Sequence, residues 1–195
     1  MTDTRIFSVS FNEIEHRYYY QGKELYGITK AICKYLGKSF PNSLNVKAST
    51  IYGHDVHKEV ELWIKQGKKP STKAGNWIVQ YLVDNALQNK VSYYQSELLV
   101  SDFVATASSI DIVANLEDGK VILYDIKTTN HFDRTYCSLQ LSIYQYLYER
   151  VYGKEVIGLY VIATKSQRVY RIIAQSKEKI QKILEMNKKT IDKIN

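Results

Sequence analysis

An acid and a lysine fall where an apolar strand is ending. The run V-I-L-Y-D-I-K-T-T, residues 121–129, starts as a buried strand and is interrupted by Asp125 and Lys127. Burying either charge alone costs several kcal/mol, so each needs a partner or a purpose. A further acid, Asp111, stands in the preceding strand-like run, S-S-I-D. Two carboxylates held side by side suit a divalent cation, and the ammonium beside them suits an anion. Upstream, Gly53, His57 and Glu61 recur at spacing four, one stripe of a helix, where an imidazole can ligate a metal and an acid can ligate it or orient the ring. Downstream, Gln140 and Tyr144 share a helical face, an amide and a phenol that can grip a phosphate oxygen or a base.

Whether the two aspartates meet depends on one turn. A two-residue Asp118-Gly119 turn leaves Asp111 and Asp125 on opposite faces. A three-residue loop, Glu117 to Gly119 with a left-handed glycine, pairs 116 with 120 and sets Asp111 directly opposite Asp125, with Lys127 on the same face opposite Ser109. In that register the alternatives to a metal are an Asp turned to solvent or Lys127 bridging both acids.

The elements that must hold these residues follow from patterning. Residues 5–11 and 16–26 read as a β-hairpin containing His16, and Thr29 as the cap of a short helix, 30–36, closed by Gly37. A helix from Thr50 to Gln66, capped by Ser49 or Thr50, buries Val56, Val60, Trp63 and Ile64. The next, 75–89, turns Trp77, Ile78, Tyr81, Leu82 and Leu87 inward. Strands are expected at 92–104, 106–116 and 120–128, a helix at 136–150, strands at 156–164 and 168–174, and a Lys-rich helix from 176. This order describes an α/β (α+β) chain with a mixed four- to five-stranded central sheet flanked by helices.

At 195 residues, with prolines only at 41 and 70 and no low-complexity linker, one domain is expected. Two cysteines, 33 and 137, cannot build a four-thiolate site, and a disulfide framework is implausible. With no apolar run of about 18 residues and no signal core, a cytoplasmic location is expected. The net charge of +7 permits a polyanionic partner. The Gly22–Thr29 stretch has phosphate-loop spacing but lacks the lysine, and no H-E-x-x-H, G-x-S-x-G or G-x-G-x-x-G occurs, which removes nucleotide motors, zinc proteases, α/β-hydrolases and dinucleotide binders.

Taken together, G53-x3-H57-x3-E61, Glu97, S-x-D111, D125-I-K127-T and Q140-x3-Y144 resemble the PD-(D/E)XK nucleases of the RecB-like branch, among them small phage exonucleases and mitochondrial genome maintenance exonucleases. The resemblance implies a restriction-endonuclease-like core at 50–175, an N-terminal hairpin at 1–28 and a C-terminal helix at 176–195. It implies hydrolysis of DNA phosphodiesters with Mg²⁺ or Mn²⁺, on single strands or duplex ends, beside a helicase or recombinase in some relatives. Asp111, Asp125, the Ile126 backbone carbonyl and His57 would bind metal, with Glu61 a further candidate. Lys127 would position and help deprotonate the attacking water, and Gln140 and Tyr144 would support the site and the DNA backbone; the role of Glu97 is open. Ile110 stands where the family pattern has proline. The four cysteines that hold an iron–sulfur cluster in some relatives are missing, so no cluster is expected. The competing reading is a nucleic-acid-binding module that keeps the fold without catalysis, using basic charge, the 65–73 lysine loop and stacking on Tyr18, Tyr19, Tyr93 or Tyr94.

Overall fold

The computed structural model describes residues 1–13, 15, 17–38 and 44–191, with the side chains of 44–50 and 189–191 excepted. His16 and Pro41 lie outside the described residues, as do residues 192–195 of the expected terminal helix.

The N-terminal segment folds as a short 3-10 helix, Thr4–Ser8, and a three-stranded meander, β1 (Val9–Asn12), β2 (Arg17–Tyr20) and β3 (Lys23–Gly27). Where patterning suggests one long strand across 16–26, the chain turns back at Gln21-Gly22. Both residues hold positive φ (50° and 77°), the geometry a tight two-residue hairpin turn requires. Helix α1 (Ile28–Tyr35) begins before Thr29, with Gly27 as its uncapped N-terminus. Gly37, at φ +63°, follows its end as expected.

Helices α2 (Leu44–Gln66) and α3 (Lys73–Asn89) come next. The start of α2 lies at Leu44, so Ser49 and Thr50 are interior to it and do not cap it. Thr72 caps α3 by accepting the Gly75 N–H at 2.9 Å. Leu87 is 84% exposed, and Asn85 turns inward in its place, donating to the Tyr124 hydroxyl at 2.9 Å. A polar pair inside the sheet face thus outweighs the apolar periodicity of that turn.

The remaining elements are β4 (Val91–Ser101), β5 (Thr106–Leu116), β6 (Val121–Lys127), α4 (Arg134–Tyr152), β7 (Val156–Ala163), β8 (Arg168–Arg171) and α5 (Lys177–Ile191). Among the described residues the strands form one mixed eight-stranded sheet, in which β4–β8 are the expected five-stranded central part and the N-terminal meander adds three more. β5 pairs with β4 along one edge. Its other edge is shared, by β6 near its C-terminal end and by β3, in parallel, near its N-terminal end. The β6–α4–β7 crossover places β6 and β7 parallel, so both end at the same rim of the sheet.

Alternation along the strands fills two cores. Val113, Val121, Leu123 and Val161 face α1, α4 and α5, meeting Ile32, Leu139, Ile143, Leu147 and Ile183. Ile112, Ala114, Ile122, Tyr124, Ile126 and Ile162 face α2 and α3, meeting Val56, Val60, Ile78 and Leu82. Each buried aliphatic side chain contributes about 1.5–3 kcal/mol, and sliding either strand by one residue would expose the whole set.

The β5–β6 turn has the three-residue form. Asn115 pairs with Val121 and Ile112 with Tyr124, the Leu116 N–H donates to the Lys120 carbonyl at 2.9 Å, and Gly119 sits at φ +83°. A Cβ on Gly119 would touch nothing within 4 Å, so its cost is backbone strain alone. Gly119→Ala should therefore destabilise the chain by about 1 kcal/mol, lowering Tm by roughly 2–4 °C in a thermal melt. An unchanged Tm would refute the register argument from this turn.

Candidate active site

β5 and β6 stop pairing after Ile112↔Tyr124, and β3 joins the same edge of β5 only at Ala107↔Gly27. Between these points the edge of β5, Ser108 to Asp111, pairs with no strand among the described residues. Continuing the hairpin register by one residue sets Asp111 opposite Asp125. At this fork the Asp111 carboxylate replaces the lost ladder, its Oδ2 accepting the Ile126 N–H at 2.6 Å. Ile126 is thereby clamped between Asp125 and Lys127, and its side chain is buried on the opposite face among α2 and α3 residues.

On the other edge of β5, the flanking pairs Ser96↔Ile112 and Leu98↔Ile110 put Glu97 opposite Asp111. Glu97 holds a left-handed backbone, φ +50°, a strained conformation for a non-glycine residue. From α2, His57 Nδ1 comes to 3.6 Å from Asp111 Oδ2. One ligand atom from each of His57, Glu97 and Asp111 lies within 4.8 Å of the other two, a set able to hold a metal ion. Burial, together with the negative charges of Asp111 and Glu61, pushes Glu97 up to about 8.

Gly53 lets α2 come this close. A Cβ there would lie 2.9 Å from Thr128 Oγ1, at the end of β6. Its stripe-mate Glu61 is held by Lys58 at 2.9 Å and Lys65 at 2.7 Å, and its charge still reaches Glu97. His54 is exposed.

A second group adjoins the first. Asp125 is 1% exposed, and Lys127 Nζ stands 2.7 Å from its Oδ2. That ammonium is the one polar partner of this buried oxygen among the described residues. Burial pushes the Asp125 carboxyl up to about 6 against the pull of Lys127. For Lys127, burial opposes the charge, but the attraction of Asp125 and Asp111 outweighs it and favours the ammonium. Lys127 Nζ also donates to Gln140 Oε1 at 3.1 Å, and Gln140 Nε2 donates to the Tyr144 hydroxyl at 3.2 Å. Burial raises Tyr144 well above the usual phenol range, keeping it neutral. α4 supplies both residues, its first turn capped by Asp133 accepting the Tyr136 N–H at 3.0 Å.

The sequence-derived residues thus separate into two touching sets. His57 and Asp111 gather with Glu97; Asp125, Lys127, Gln140 and Tyr144 form a relay beside them; Glu61 is paired with Lys58 and Lys65 and lies outside the three-residue set. Glu97 enters the sequence reading only as an upstream acid of open role; its place beside His57 and Asp111 follows from the β4–β5 register, which local patterning does not give. Among the tyrosines considered for stacking, Tyr18 is buried, Tyr94 donates to the Leu82 carbonyl, and the exposed Tyr93 pairs with Asn115, four residues along β5 from Asp111.

No curated protein matches the chain. Among solved structures, a Eubacterium rectale protein provisionally described as an exonuclease shares 10% identity over 84% of this chain and 71% of its own, with a TM-score of 0.38. A second, SSO0001, shares 18% identity over 82% of each chain, with a TM-score of 0.36. Both likenesses are too low to bear on the chemistry of the site. The family model of the PD-(D/E)XK nuclease superfamily matches residues 92–195, more than half of the chain, and takes in Glu97, Asp111, Asp125, Lys127, Gln140 and Tyr144. The chain belongs to the PD-(D/E)XK nuclease superfamily.

Proposed function

We propose that the chain is a Mg²⁺- or Mn²⁺-dependent DNA exonuclease of the RecB-like branch, acting in replication, recombination or repair. The observation that carries this reading is Asp111, flanked by His57 and Glu97 on one side and by the Asp125–Lys127 pair on the other.

Nucleases of this superfamily use divalent metals, and the residues present fit one. Glu97, Asp111 and Asp125 crowd carboxylates into a half-closed site, and the buried Asp125 Oδ2 has Lys127 as its one polar partner among the described residues. A cation would relieve both conditions. His57, Glu97, Asp111 and Asp125 would hold it, and the imidazole would favour Mn²⁺ relative to an all-oxygen set. When bound, the ion supplies Lewis-acid charge to a phosphodiester oxygen and a more acidic water.

The chain's own residues do the rest. Asp111, by holding the Ile126 N–H, fixes where β6 presents Asp125 and Lys127. Lys127 spends one N–H on Gln140 and stands against Asp125, leaving its ammonium able to donate to a phosphate oxygen or to the attacking water. Gln140, steadied by Tyr144, stops the lysine from swinging into a symmetrical bridge with the acids. Position matters because a misplacement of about 1 Å can lower the rate roughly 100-fold.

Two expected outcomes follow. Glu97, ordinarily near 4.5, and Asp125, ordinarily near 3.8, both titrate higher in the folded chain, at about 8 and about 6. Between these values the folded chain holds protons that the unfolded chain has lost. Stability from this source is present below about pH 4 and is lost as pH rises through 8. In chelator, the urea midpoint should fall from pH 5 to pH 8, Glu97→Gln should flatten the upper part of that fall, and saturating Mn²⁺ should stabilise more at pH 8 than at pH 6. A flat wild-type profile would contradict the crowded-acid account.

The second outcome concerns activity on end-labelled single- and double-stranded DNA with Mg²⁺ or Mn²⁺. Asp111→Asn, Asp125→Asn and Lys127→Ala should each lower the rate at least about 100-fold. Salt-sensitive binding without degradation under either metal would instead identify a non-catalytic binding module.

A further inference from the structure

β6 and β7 are parallel and end at the same rim, and exposed cations stand around that rim beyond Lys127. Across the sheet Lys127 pairs with Ala163, and Ala163 with Arg168. Residues paired in this way point to one face, so Arg168 lies in the same row and on the same side as Lys127. Only the Ala163 methyl separates them, and their backbones are about 10 Å apart, two strand spacings. The row one step back runs Asp125, Val161, Tyr170. Above Tyr170, at the start of α4, the Arg134 guanidinium lies 5.1 Å from the ring centre, and Phe132 packs on the same ring at 5.2 Å. In the β7–β8 turn, Lys165 lies 5.0 Å from the ring centre of Tyr52, the neighbour of Gly53 on α2.

These cations differ from the others near the site. Lys127 and Lys65 are each paired with a carboxylate. Arg134, Lys165 and Arg168 are exposed, and none has an ion pair with an acid among the described residues. The acid beside Arg134, Asp133, is already taken by Lys38 and by the Tyr136 N–H. An aromatic ring beneath a guanidinium limits where it goes while leaving its N–H fork free, the arrangement that suits a phosphate.

We propose that Arg134, Lys165 and Arg168 form a cationic ledge that holds the sugar–phosphate strand of the substrate on the β7–β8 side of Lys127. This rests on the nuclease reading of the site and adds to it the path of the bound strand. The strand crosses the rim from the acid cluster, passes Lys127 and continues over Ala163. Contact is to phosphates, so the ledge favours no sequence.

The test uses a fluorescently labelled single-stranded oligonucleotide, in chelator, over a range of salt. Arg134→Ala and Arg168→Ala should each weaken binding about tenfold and reduce the slope of log affinity against log salt by about 0.7 per lost contact. Lys120→Ala removes the same charge at the far end of β6, where Lys120 pairs with Asp118, and should bind as wild type. With Mn²⁺ present, KM should rise more than kcat falls in the two ledge variants, and Arg134→Lys should recover part of the loss. If Arg134→Ala melts early, Arg168→Ala, at an exposed edge-strand position, decides alone. Wild-type affinity and slope in the ledge variants, or losses equal to that of Lys120→Ala, would overturn the ledge even where the wild-type chain degrades DNA. Ledge-dependent binding with no cleavage under either metal would overturn the nuclease reading and leave the ledge standing.

Discussion

The edge of β5 is asked to serve two strands at once, and the site exists because neither takes its middle. β6 pairs from Ile112 to Asn115, β3 pairs at Thr106 and Ala107, and the residues between face a gap. Unpaired strand edges inside a sheet leave backbone donors and acceptors that must be satisfied. Here Asp111 does part of this, taking the Ile126 N–H through its carboxylate. The same carboxylate that closes the sheet therefore faces His57 and Glu97. Under the proposed function, structural and chemical roles fall to this one side chain, so removing it would perturb both.

Electrostatics decide what such a gap can contain. Three acids in a half-buried space repel, and Lys127 touches one of them, Asp125, while drawing on Asp111 from farther away. Glu61, which would add a fourth charge, is compensated by two lysines on its own helix. Glu97 forms no ion pair among the described residues; it is held in a strained backbone and raised toward neutrality. A fold that needed only stability would replace this arrangement with apolar side chains. Its presence beside a lysine fixed by Gln140 and Tyr144 is the physical argument for a bound cation.

Much of the site is legible in local sequence chemistry. The E-D-G turn narrows the register of β5 and β6 to two choices, and the structure takes the three-residue loop with a left-handed Gly119, which brings the two aspartates opposite each other. The Gly53–His57 stripe and the Gln140–Tyr144 pair are legible for the same reason, as spacing on one helix. The features that local patterning does not reveal depend on partners distant in sequence. Glu97 meets Asp111 only through the β4–β5 pairing, and its positive φ has no composition signal. Asn85 displaces Leu87 from the core because Tyr124, on a strand 39 residues away, offers a hydroxyl. The early start of α2 and the Gln21-Gly22 turn are boundaries, where helix and strand signals are weakest.

The close approach of α2 adds a constraint that ties the two sides of the sheet together. α2 packs on one face, whereas Asp125, Lys127 and α4 lie on the other. His57 nevertheless comes within 3.6 Å of Asp111, and Gly53 permits α2 to lie this close because a Cβ there would meet Thr128 Oγ1 at 2.9 Å. Thr128 directly follows Lys127, so the position of α2 and the end of β6 are not independent. A substitution that pushed α2 outward would withdraw the imidazole and disturb the strand end carrying Lys127 at the same time. The glycine, with no functional group of its own, is thus as much a part of the site's geometry as the residues it allows to meet.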